Sequence, residues 1–140
     1  MLIDLTPAEK ALKSLSGAID SALDEEFMGR LTDIQQKTIR AGVIQNFEFS
    51  YELCWKMLRR ILIELEGSEE ITQLSRKDLF RLAAQKGLMA DPEKWFIFHR
   101  ARNEASHTYN EAKANEVFNI ACDFISSANK LMLNLINRND

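Results

Sequence analysis

The chain has 140 residues, 46% hydrophobic and 28% charged, with a formal net charge of −3. That length supports one domain, which hides roughly two-thirds of its unfolded surface, and the composition is too apolar for a disordered chain. No apolar run nears the ~20 residues of a membrane span, the N-terminus lacks the shape of a signal peptide, and the acidic balance argues against a broadly basic nucleic-acid surface.

Thr6-Pro7-Ala8-Glu9 reads as an N-cap, a proline at the first helical position and a capping-box glutamate. The 3.6-residue recurrence of Ala8, Ala11, Leu12, Leu15, Ala18, Ile19, Ala22 and Leu23 predicts a helix to about Phe27. Thr32-Asp33-Ile34-Gln35 is a second capping box, and the helical pattern behind it runs to Gly67. At 1.5 Å per residue that is about 50 Å of helix.

In this long helix Phe47, Tyr51, Cys54, Trp55, Leu58, Ile61, Leu62 and Leu65 form one apolar stripe, while Phe49, Leu53 and Met57 point the other way. A helix apolar on two sides is central in a bundle or covered by a partner chain, so a homodimer is expected. The row Phe47, Tyr51 and Trp55 has the spacing to stack a base, but such rows are far more often core. Glu48, Glu52, Lys56 and Arg59 keep a narrow polar arc. Glu52 and Lys56 form an ordinary i,i+4 pair, and Arg59 and Arg60 beside Lys56 read as a small solvated patch.

Ser75 to Asp78 caps a short helix through Leu79, Leu82 and Ala83, closed by Gly87. Asp91-Pro92-Glu93 opens another, carrying Trp95, Phe98 and Ala101. After a break near residues 107–110, a last helix shows Val117, Phe118, Ala121, Phe124, Ile125, Ala128, Leu131, Met132 and Leu135. No strand-like alternation interrupts the series. The predicted fold is all-α: an antiparallel four-helix bundle with a short additional helix, one domain over residues 1–140.

The phosphate-loop, dinucleotide, nucleophile-elbow and zincin motifs are all missing. His99 and His107 are the only histidines, and Glu104-x-x-His107 has no second copy, so no metal site and no cofactor are expected. Cys54 and Cys122, far apart and without a Cys-x-x-Cys pair, suit a reduced, cytoplasmic compartment.

The stretch from His99 to Tyr109 gathers both histidines, Arg100, Arg102 and a tyrosine. Arg102 shares the expected buried face with Trp95, Phe98 and His99, where a guanidinium costs free energy unless it is paired or lines a polar cleft. Glu48 is placed to reach it from the neighbouring helix. His107 lies five residues on, about 140° around an ideal helix, so the two converge only if the helix ends between them or a second subunit supplies the match. A structural ion pair with a helix-terminal histidine is the competing account.

Arg102, His107 and Tyr109, with Asn103 after the arginine, resemble the Arg-x₄-His-x-Tyr signature of the HEPN superfamily of helical bundles. The segments Ile44 to Lys56, Ser75 to Asp78 with Gly87-Leu88, and Arg102 to Tyr109 resemble one branch more closely: the nucleotidyltransferase substrate-binding proteins. The resemblance implies a dimerising helical bundle that accompanies a minimal nucleotidyltransferase chain. It implies a nucleotide- or RNA-phosphate-binding site at Arg102, Asn103, His107 and Tyr109, in a toxin–antitoxin-like pair. In the alternative it implies a metal-independent ribonuclease with Arg102 and His107 catalytic, neutralised by that partner. Tyr109 sits where the family's partner adenylylates a tyrosine.

Overall fold

The computed structural model describes residues 3–138. Helices α1 (Thr6–Leu23), α2 (Glu25–Gly29), α3 (Asp33–Glu66), α4 (Ser68–Thr72), α5 (Arg76–Gln85), α6 (Pro92–Glu104) and α7 (Glu111–Arg138) follow one another, with a 3₁₀ turn at Ala105–His107. No strand occurs among the described residues. The antiparallel bundle is built from α1, α3, α6 and α7, with α5 as its short addition, and α3 touches every other principal helix.

The capping box at Thr32 forms as read: the hydroxyl accepts from Gln35 N–H at 3.2 Å, and the Gln35 side chain accepts from Thr32 N–H at 2.9 Å. The start of α1 differs. Leu5 is the cap, Thr6 lies inside the helix, and the Asp4 carboxylate accepts from Thr6 N–H at 3.0 Å. That bond, together with the Lys10 and Arg60 charges, holds Asp4 below the usual carboxylate range. The predicted continuation to Phe27 is also broken. Asp24 turns extended and its carboxylate caps Phe27 N–H at 3.0 Å, starting α2. One-turn α4 follows Gly67, whose φ of 96° only glycine adopts without strain. Gly87, at φ 73°, closes α5 with Leu88 N–H on Ala83 and its own N–H on Ala84.

Around the middle of α3 the core is aromatic. Phe124 of α7 meets Phe47, Phe98 and Trp95 edge-on at centroid distances of 5.2, 5.1 and 5.5 Å, and Phe80 of α5 reaches Trp95 at 5.7 Å. Such pairs add about 0.5–1.5 kcal/mol each beyond burial. Phe47 and Tyr51 are thus core, as expected of the row, while Trp55 is half-buried at its edge. Met57 is buried too, which removes it from the outer apolar face; Leu53 is half-buried and Phe49 is 62% exposed. The buried hydroxyl of Ser50 donates to Ala11 carbonyl at 3.2 Å, locking α3 to α1. Burial pushes the free Cys54 thiol up to about 12.

Candidate functional site

The end of α6 and the turn beyond it are fixed by short-range bonds. Asn110 caps α7 by accepting from Lys113 N–H at 3.1 Å, Thr108 hydroxyl donates to Ala105 carbonyl at 3.0 Å, and Lys113 bridges back to Glu104 at 3.3 Å. The helix therefore ends at Glu104, between Arg102 and His107, and the 3₁₀ turn carries the histidine. His107 and Tyr109 both project outward, their rings edge-on at 6.3 Å, and Tyr109 is 88% exposed. A tightly framed turn thus presents two unburied, chemically competent side chains.

Arg102 is half-buried rather than enclosed, and its partner is Glu52, not Glu48. Arg102 Nε donates to Glu52 Oε1 at 3.1 Å. The end of α6 meets α3 one turn beyond Glu48, which brings the later glutamate into reach. Glu52 is held in turn: Trp55 Nε1 donates to its Oε2 at 3.0 Å, and Lys56 stands 3.7 Å away. Only the Nε edge of the guanidinium is engaged; its two Nη groups make no hydrogen bond to any described residue. Arg102 lines an open groove with Gln45, Asn46, Glu48, Phe49 and Glu52 of α3. This leaves the fork that grips a phosphate or carboxylate oxygen pair.

Behind Arg102 lies a polar network that the sequence reading passed over. His99 Nδ1 is 2.9 Å from Tyr51 hydroxyl and 3.3 Å from Arg76 Nη1, and Arg76 also donates to Tyr51 at 3.1 Å. Arginine cannot accept, so the ring that fits is neutral with its proton on Nε2. Desolvation, reinforced by the Arg76 charge, holds His99 below its ordinary value, and burial drives the Tyr51 phenol well above its own. Arg76 also lies 3.4 Å over the Trp55 ring. Asn103, predicted at the phosphate, has its side-chain amide 3.4 Å from His99 Nε2, and with the proton on Nε2 it is the amide oxygen that accepts there. A tyrosine and a histidine on adjoining core faces were the available signal, but nothing local shows that Arg76, at the start of the predicted short helix, packs against them.

His107 does not line the Arg102 groove; the residues after it border a second hollow. This cleft, of about 230 Å³, lies between α3 and α7. Lys37, Arg40, Ala41 and Ile44 form one wall, Ala114, Asn115 and Phe118 the other, and Thr108, Tyr109 and Glu111 close one end. Spacing i, i+3, i+4, i+7 from Lys37 was visible in the sequence; its opposite wall was not. No group of three or more metal-ligating side chains converges among the described residues.

Comparison with known proteins agrees with this architecture. A probable ribonuclease HepT of Haemophilus influenzae is 34% identical over 138 residues, covering 98% of this chain and 94% of the relative. A solved Haemophilus influenzae structure, described as revealing the fold of a substrate binding domain of a nucleotidyltransferase, superposes with a TM-score of 0.89 at 34% identity, over 94% of this chain and 98% of its own. A crystal structure from Thermus thermophilus gives 0.71 at 31% identity, over 91% and 98%. Residues 3–137 match the family described as nucleotidyltransferase substrate binding protein like, and the chain belongs to that family.

Proposed function

We propose that this protein is the nucleotide-binding subunit of a two-component nucleotidyltransferase, acting with a separate minimal nucleotidyltransferase chain in a toxin–antitoxin-like pair in the cytoplasm. The observation that carries the reading is Arg102: anchored through Nε by Glu52, with its Nη fork unpartnered, in the lining of an open groove. A residue serving only as a structural ion pair would spend its fork on its partner. His107 and Tyr109 lie apart from the Arg102 groove, on the turn beyond α6, where the exposed Tyr109 phenol is reachable as an adenylylation acceptor, and Asn103 follows the arginine on its helix. Phe49 (62% exposed) and Ile34 (77% exposed) on the outer side of α3 supply an apolar face for a homodimer. Co-expression with a minimal nucleotidyltransferase from the same genome, followed by pull-down, tests the pairing; a hetero-complex is expected, and two independent species on gel filtration would refute it.

A second reading rests on the exposed imidazole of His107. Metal-independent RNA cleavage needs a base at the ribose 2′-OH, an acid for the departing 5′-oxygen and a cation for the charged phosphorane. His107 suits the first or second role and Arg102 the third, two copies of each meeting at a dimer cleft. The Haemophilus influenzae relative's name, probable ribonuclease, favours testing it. An RNase assay on the purified chain separates the readings: activity lost in His107→Ala supports cleavage, and an inert wild type leaves binding alone.

A further inference from the structure

The cleft between α3 and α7 has features that the Arg102 groove does not. Lys37 and Arg40 stand one turn apart on its α3 wall, and neither pairs with a carboxylate among the described residues. Arg40 carbon Cζ sits 5.8 Å from the centre of the Phe118 ring, a long cation–π contact, and its guanidinium makes no hydrogen bond to a described residue. Between these cations and α7 the floor is apolar, with Ile44 and Phe118. The single carboxylate of the lining is Glu111, at the end near Tyr109. Two unpaired cations beside an aromatic floor suit an anion attached to a flat apolar ring.

We infer that this cleft is a mononucleotide site, in which Lys37 and Arg40 hold the phosphate and the Ile44–Phe118 floor takes the base. The inference rests on the nucleotide-binding reading above and adds a location distinct from Arg102. Glu111 and Asn115 supply acceptors for ribose hydroxyls, which gives the carboxylate a role compatible with a bound phosphate. At about 230 Å³ the cleft falls below the range of pockets that enclose drug-sized ligands, so a mononucleotide would be held partly enclosed and an oligonucleotide has no room. Tyr109, on the rim, brings its phenol to the bound nucleotide's edge.

Isothermal titration of the full chain with AMP, GMP, CMP, UMP and inorganic phosphate tests the site, with ¹⁵N-resolved amide shifts reporting where each binds. Lys37 and Arg40 are exposed, so Lys37→Ala/Arg40→Ala leaves the fold intact. The expected result is mononucleotide binding that shifts the Ala114 and Asn115 amides, exceeds phosphate binding, and weakens about tenfold or more in the double variant. In Arg102→Ala that binding persists. Three results would overturn the inference: no mononucleotide binding, phosphate bound as tightly as any nucleotide, or loss in Arg102→Ala with the double variant unaffected. The last would leave nucleotide binding at Arg102 standing, and the pull-down with the nucleotidyltransferase judges the parent reading independently of all three.

Discussion

Arg102 and Glu52 are both about one-third exposed, so water screens their attraction. Such a pair contributes about 1 kcal/mol or less. Arg102→Ala is therefore expected to leave the denaturation midpoint almost unchanged while weakening phosphate binding, and lysine should restore binding only in part because the planar fork is lost. Loss of several kcal/mol with no phosphate bound to the wild type would mean a structural ion pair. His99 makes the opposite kind of statement. It faces the Arg76 and Arg102 charges, only partly offset by Glu52, and its folded-state value is depressed. Below the unfolded value near 6.5 the unfolded chain binds the proton first, so stability falls as pH drops through that value until the folded ring also charges. Urea denaturation between pH 7.5 and 5 should show this slope, and His99→Asn, which keeps an acceptor for Tyr51, should flatten it.

At the scale of elements, legibility followed the range of the interactions. The Thr32 capping box, the Gly87 close and the break before Asn110 depend on residues within a few positions, and each could be read directly. Thr32→Ala should cost about 1 kcal/mol in chemical denaturation. The break at Asp24 was equally local, and the two glutamates after it were the overlooked sign of a new helix start. Helix α4 gave no such sign, because one turn has no periodicity and persists only where Ile71 is buried against the core. The site divides the same way. Arg102, His107 and Tyr109 are close in sequence and could be gathered; the choice of Glu52 over Glu48 depends on where α6 meets α3, which no local pattern encodes. Phe124 carries the long-range part of the core, and Phe124→Ala should cost about 3–5 kcal/mol, read from the urea midpoint at unchanged slope.

For the molecule as a whole, the burial of Met57 narrows the proposed self-association face to Phe49, with half-buried Leu53 one turn on, and Ile34 nearer the start of α3. Phe49→Asp should convert the expected dimer to a monomer in sedimentation at tens of micromolar without lowering monomer stability, since the side chain has little to lose inside its own chain. A wild-type monomer under those conditions would dispose of the face. The continuity of α3 has a consequence of another kind. The cleft wall at Arg40 and the groove wall at Glu52 belong to one unbroken helix, twelve residues apart, which at 1.5 Å per residue fixes them about 18 Å from each other. That makes α3 a gauge bar for these two walls: their separation is set by helical rise, while Arg102, on α6, is tied to the bar only through Glu52.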